Sequence, residues 1–316
     1  MSNLEADPVE QVCATEPAVD AVELLEPRQV PLGGPRAMTV HRTLPQRGRS
    51  LIGAWCFVDH YGPDDVAATG GMVVPPHPHT GLQTVSWLFQ GEIEHRDSVG
   101  SHALIEPGAV NLMTAGSGIQ HSEVSTPAAT VLHGVQLWVA LPSADREVAP
   151  FFEAHVTTPV AVPGATVRVF VGALGAGSSP LRVFTPLLGA QIDLLADARV
   201  DLDVRADFEH GVLLDTGTVS VQGTDVPDRH LAYVAPGTTR LTLVAGPEGA
   251  RILLLGGTPL GEQIVMWWNF IGRSHEDVVA YRADWQAAAE RFGSIPDDLP
   301  RLPAPELPTV RLKPRG

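Results

Sequence analysis

From Val22 onward the chain alternates apolar and polar residues over short stretches that Gly and Pro interrupt. MTVHRTL (Met38 to Leu44) alternates, and TVSWLF (Thr84 to Phe89) runs into Gln90-Gly91. VLHGVQLWVAL (Val131 to Leu141) is rich in β-formers and is stopped by Pro142. Successive side chains on a strand point to opposite faces, so short alternating runs with turn signals between them predict an all-β barrel or sandwich. A second series of the same kind follows. TVRVFVG (Thr166 to Gly172) reads as a strand, and GALGAGSSP as a turn-rich link. Gly211 to Gly223 and Arg240 to Gly257 read as hairpins, the latter turning at Gly246-Pro247-Glu248-Gly249. The halves are alike in kind, which predicts a duplicated barrel, although no alignable repeat proves it.

One segment departs from this period. Ser274 can cap a helix, with Asp277 three residues on. Val278, Tyr281, Trp285, Ala288 and Phe292 follow at helical spacing, and Gly293 can end the helix. The chain therefore divides into an acidic, poorly patterned and mobile 1–21, a first barrel over 22–158, a second over 159–295 with the short helix at its end, and a Pro- and Leu-rich tail over 296–316 that lies extended on the surface or moves. Trp267-Trp268-Asn269-Phe270 follows the last strand of the second half and is read as core packing between the halves.

Composition narrows the classes. A hydrophobic content of 44% suits a globular chain, and a net charge of −15 argues against direct binding to nucleic acid. Two cysteines, Cys13 and Cys56, are too sparse for a disulfide scaffold. No apolar run approaches the ~18 residues that span a membrane, and the acidic N-terminus lacks the features of a secretory signal. A soluble cytoplasmic protein is expected.

The chemistry concentrates in two short motifs, His77-Pro-His79 and His121-Ser-Glu123. Each sets two ligand-type groups at i and i+2, on one face of a strand. Three imidazoles and one carboxylate from two neighbouring strands can close on one divalent ion, and the donor set suits Fe, Mn, Co, Ni, Cu or Zn. An octahedral ion so held keeps two positions for water, substrate or O2. An isolated H-x-H is more often a surface feature. Here both motifs fall in one predicted barrel, beside Gly- and Pro-rich turns. His95, His102 and His133 are read as surface or ordinary hydrogen-bonded residues, with support of the ligands from behind or contact with substrate as the alternative. His60 is read as structural. Trp87 and Trp138 are read as core, with the wall of a pocket for a flat ligand as the alternative. The second half carries His210, His230 and His275, widely separated, and no metal is expected there.

These residues resemble the pirin family of the cupin superfamily. The matching stretches are HPHTGLQTVSWLFQGEIEHRDSVG (His77 to Gly100), EPGAVNLMTAGSGIQHSE (Glu106 to Glu123), HGVQLWVALP (His133 to Pro142) and GTPLGEQIVMWWNFIGRSHEDV near the end. The resemblance spans about Leu25 to Phe292. It implies a bicupin, two antiparallel jelly-roll barrels with the metal in the first only. His77, His79, His121 and Glu123 are the implied ligands and Fe(II) the implied metal. The general cupin pattern often has Glu after the second His, where this chain has Gln83; that leaves Gln83 to line the pocket or support a ligand. Some pirin-like proteins resemble quercetin 2,3-dioxygenases, which open a flavonol with O2 and release CO. A small planar aromatic substrate is then expected, with Glu123 as ligand and general base. Pirins also resemble transcriptional cofactors, so an iron-dependent regulator that binds a protein partner is the alternative.

Overall fold

The computed structural model describes residues 22–32, 38–69, 71–296 and 298–316. Expectations for residues 1–21 and for Cys13 lie outside them. The fold is a bicupin built from antiparallel sheets. In the first half a seven-stranded sheet runs in the order Phe151–Val156, Ala109–Thr114, Leu82–Gln90, Val131–Ala140, Trp55–Asp65, Met38–Leu44, Arg28–Leu32. It faces a four-stranded sheet in the order Val73–His79, Ile119–Ser125, Ile93–Asp97, His102–Ile105. The second half forms a nine-stranded sheet around Glu209–Val221, Arg240–Gly257 and Leu187–Leu194. Val22–Leu25 joins this second sheet, pairing with Leu231–Val234, although it precedes the whole first barrel in sequence.

The two expected hairpins of the second half are instead two long strands paired with each other, Glu209–Val221 on Arg240–Gly257. The turn-like Gly246-Pro247-Glu248-Gly249 is a bend within one strand. Before it the strand pairs with Arg199–Asp203, and after it with Leu187–Leu194. Gly249 sits at φ +75°, where an added Cβ would meet Leu194 O at 2.5 Å, so the bend needs a residue without one. Turn residues in sequence thus mark the corner of a barrel as readily as the end of a strand.

Each barrel packs its own interior, and a third apolar layer lies between them. Val85, Trp87, Leu112 and Leu137 of the first barrel meet Phe170, Leu213, Leu253 and Leu255 of the second. Trp55 Nε1 donates across this layer to Leu188 O at 3.0 Å, and Trp87 Nε1 to Gln191 Oε1 at 2.9 Å. Gly53 approaches Gly257 so closely that a Cβ on it would lie 2.6 Å from Gly257 Cα.

The C-terminal helix is His275–Gln286, capped as expected: Asp277 N donates to Ser274 Oγ and Ser274 N to Asp277 Oδ2, both at 3.1 Å. It stops earlier than the apolar spacing predicts. Ala288 turns to φ +53°, and Phe292 sits in a separate 3-10 turn that returns its ring to the edge of Trp285. Trp267, Trp268 and Phe270 pack with this helix rather than between the barrels. The tail is extended and anchored: Leu302 N donates to Pro76 O at 2.8 Å, Trp285 Nε1 to Leu302 O at 2.8 Å, and Ile264 and Arg315 exchange backbone bonds. Among the described residues no helix is long and apolar enough to cross a membrane.

Candidate metal centre

Three adjacent strands of the four-stranded sheet build the centre from their inner faces. Val73–His79 contributes His77 and His79, Ile119–Ser125 contributes His121 and Glu123, and Ile93–Asp97 contributes His95 and Asp97. The middle strand sets His121 opposite His77 on one side and Asp97 on the other, and Glu123 opposite His95. A bulge between His121 and Glu123 shifts the register toward the outer strand. Bulges re-aim side chains beside functional sites. All six side chains are buried.

The nitrogens are arranged for an electron-pair acceptor. His77 Nδ1 donates to Pro75 O at 2.9 Å, which leaves Nε2 as a bare lone pair, buried and without a partner among the described residues. His79 Nε2 and His121 Nε2 lie 3.1 Å apart. The ligand atoms of His77, His79 and His121 all fall within 4.8 Å of one another. Burial holds the imidazoles neutral: that of His77 is pushed down to about 3, and those of His79 and His121 are held well below the usual range, first by desolvation and then by the neighbouring rings. Neutral imidazoles converging on one point fit a divalent cation. Glu123 forms a second group of the same tightness with His121 and His95, so His121 joins the two. Ser86 Oγ, from the opposite wall, lies 3.4 Å from Glu123 Oε1 and donates to Gln136 Oε1 at 2.9 Å.

Of the expected pocket residues, Trp138 is at the centre and the other two are not. Trp138 meets the His79 ring edge-on at 5.2 Å and stacks on Phe57 at 4.0 Å. Gln83 and Trp87 occupy the other face of Leu82–Gln90. Gln83 Nε2 donates to Thr114 Oγ1 and Arg182 O, both at 2.9 Å, and Trp87 stacks on Phe170 of the second barrel. Their place in the sequence is one residue out of phase with the inner face, which Thr84 and Ser86 occupy. His95, read as surface or hydrogen-bonded, is inside, against His121 and Phe152. The alternation in Glu94-His95-Arg96-Asp97 carries that signal, since charged Glu94 and Arg96 face outward and pair with each other. His102 is exposed and bonds Glu94. His60 and His133 lie elsewhere, sharing Asp215 between the barrels.

Two antiparallel barrels, one of them with a histidine-lined interior suited to a cation, define a bicupin with a single-ion candidate centre in its first barrel. The chain belongs to the pirin family: residues 37–139 match the Pirin model and residues 189–293 the model of the Pirin C-terminal cupin domain. It is 44% identical over 284 residues to "Putative quercetin 2,3-dioxygenase PA1205" of Pseudomonas aeruginosa, covering 89% of each chain. It is 35% identical to a pirin-like protein of Caulobacter vibrioides, over 84% of this chain and 94% of that one. A crystal structure of quercetin 2,3-dioxygenase from Acinetobacter baumannii superimposes with a TM-score of 0.87 at 37% identity, covering 92% of this chain and 97% of that one.

Proposed function

We propose that this protein is a metal-dependent oxidoreductase of the quercetin 2,3-dioxygenase type, opening the oxygenated ring of a flavonol with O2 and releasing CO. The observation that carries it is the convergence of three neutral imidazoles, with Glu123 adjoining, inside the first barrel. His77, His79, His121 and Glu123 are the residues that would hold the ion, and Fe(II) is our assignment, with Mn, Co, Ni, Cu and Zn as the other ions this donor set takes. When bound, the metal supplies Lewis acidity and open coordination positions for a planar enol and O2. The chain supplies the rest. Glu123 is the base for the flavonol hydroxyl proton, and Ser86 Oγ of the facing sheet lies 3.4 Å from its carboxylate. The Trp138–Phe57 stack gives a flat apolar wall beside His79. The apolar layer behind Leu82–Gln90 excludes water from that side of the barrel.

The test is metal analysis of purified protein, followed by flavonol absorbance and CO release under air and under nitrogen. The expected result is one divalent ion per chain and aerobic, metal-dependent loss of flavonol that His121→Ala abolishes. Metal-replete protein that leaves flavonol intact overturns the enzyme reading in favour of a redox-responsive regulator.

A further inference from the structure

We propose that His95 and Asp97 form a positioning relay that holds the His121 imidazole in the one tautomer able to present Nε2 to a metal. The inference rests on the metal reading above and adds two residues to it.

The geometry runs in one line. His121 has its Nε2 on the side of His79, 3.1 Å away, and its Nδ1 3.3 Å from His95 Nδ1. The far side of the His95 ring, Nε2, lies 3.1 Å from Asp97 Oδ2. Asp97 is itself fixed, because its Oδ1 accepts two backbone N–H groups, from Val99 at 3.0 Å and Ser101 at 2.9 Å. A carboxylate offers only acceptors, so His95 Nε2 carries the proton and donates it. With its single ring proton held on Nε2, His95 presents a bare Nδ1, which accepts from His121. That requires the proton of His121 on Nδ1 and leaves its Nε2 lone pair free on the side of His77 and His79. With one proton on each ring, this arrangement gives every donor in the chain Asp97–His95–His121 an acceptor and leaves His121 Nε2 bare. Stacking of His95 on Phe152, at 4.7 Å and 24°, fixes the ring plane through which the relay acts. His95 therefore stands behind His121, on the nitrogen that a ligand imidazole uses for its supporting hydrogen bond.

The relay predicts a dependence on proton position that packing alone would not show. In Asp97→Asn the amide oxygen must still serve the two backbone N–H groups, so the NH2 group faces His95 Nε2. His95 then turns to its Nδ1–H tautomer and points a proton at that of His121. The shape is almost unchanged while the polarity is reversed. In His95→Asn the amide oxygen falls near the position of the lost Nδ1 and accepts from His121 again, whereas His95→Leu keeps bulk and offers no acceptor.

The experiment measures Zn(II) affinity by chelator competition for the full chain and for His95→Leu, His95→Asn, Asp97→Asn and His121→Ala. Thermal unfolding shows that each is folded, and ¹⁵N NMR of the histidine rings follows the Zn(II)-loaded protein. Removing a supporting partner of a metal ligand costs about 10- to 100-fold in affinity. His95→Leu and Asp97→Asn should show that loss, and His95→Asn should recover most of it. The His121 Nδ1 should give the signal of a protonated nitrogen. Wild-type binding that His121→Ala removes but that His95→Leu and Asp97→Asn leave within about twofold overturns the relay and spares the metal site. Direct coordination of Zn(II) by a His95 nitrogen also overturns it. Wild-type protein that binds no Zn(II), or binding that His121→Ala leaves intact, overturns the site and the relay together. Should Leu at position 95 prevent folding, the near-isosteric Asp97→Asn decides the matter alone.

Discussion

Replacing Asp215 with Ala should destabilise the protein more than any single change at its surface. The carboxylate is buried between the barrels and takes three donors. His60 Nε2 and His133 Nε2 share Oδ1, at 2.7 and 2.6 Å, and Arg251 Nε takes Oδ2. The two imidazoles come from strands of the first barrel, Trp55–Asp65 and Val131–Ala140, whereas Asp215 and Arg251 come from the second. Burial alone would raise the carboxyl, but hydrogen bonds from His133 and His60 outweigh it and hold the group below the usual carboxylate range. The alanine variant leaves two N–H groups and a guanidinium without their acceptor. Breaking a buried pair on one side costs about 3–5 kcal/mol. The Arg251 side chain is 26% exposed, so water recovers part of its charge, which places the expected loss near the lower end, about 3 kcal/mol. Arg251 also lies over the Phe89 ring at 4.3 Å, a contact that survives the mutation. Urea unfolding followed by tryptophan fluorescence reads the loss. Asp215→Leu combined with Arg251→Met removes both charges and should recover part of it, because the unpaired cation is then gone. A loss below about 1 kcal/mol for Asp215→Ala would refute the view that this carboxylate ties the barrels together.

Two further outcomes follow from burial. Metal-free protein should lose stability as pH falls from about 6.5 toward 4, because His77 (about 3) and His210 (about 4) stay neutral in the fold while the unfolded chain takes up their protons below about 6.5. The linkage is worth about 1–2 kcal/mol for each group at pH 5, and unchanged urea midpoints between pH 7.5 and 5.0 would contradict it. Gly53→Ala should lower stability by about 1–3 kcal/mol, since its Cβ would fall 2.6 Å from Gly257 Cα at a φ of +54°; a neutral thermal unfolding profile would show that the barrels can separate freely there.

The candidate motifs are legible because the i, i+2 spacing needs only a strand to bring two side chains to one face, and both H-x-H and H-x-E lie on strands. That Gln83 and Trp87 both turn away from the centre is not legible for a related reason. Seven consecutive residues of Leu82–Gln90 are buried, one face toward the candidate centre and the other toward the second barrel. With no solvent-facing side, the alternation that distinguishes inside from outside is lost, and parity relative to Ser86 is visible only once the partner strands are known. A supporting role for His95 is only the second reading because its neighbours Glu94 and Arg96 give the segment a surface character, although their alternation puts His95 and Asp97 on the opposite face. The Asp215 cluster had no local signal at all. His60, His133 and Asp215 are separated by 73 to 155 positions along the chain, and only strand pairing within the first barrel and the docking of the second bring them together.

That the two barrels share a fold and differ in chemistry follows from what fills them. The second interior is packed by Val167, Ile192, Leu214, Leu243, Ile252, Leu254 and similar aliphatic side chains, and among the described residues no group of three His, Cys, Asp or Glu ligand atoms converges within it. A core of that kind is stiff, since interiors packed to crystal density resist displacement. Across the apolar layer between the barrels, the sheet that encloses it backs the sheet whose front carries Ser86, Gln136 and Trp138. A metal centre needs its supporting residues held to within about half an ångström. In this arrangement the rigidity comes from the second barrel and the donor atoms from the first. Loosening the junction, through Asp215 or Gly53, should therefore weaken metal affinity as well as stability, although neither residue touches the centre.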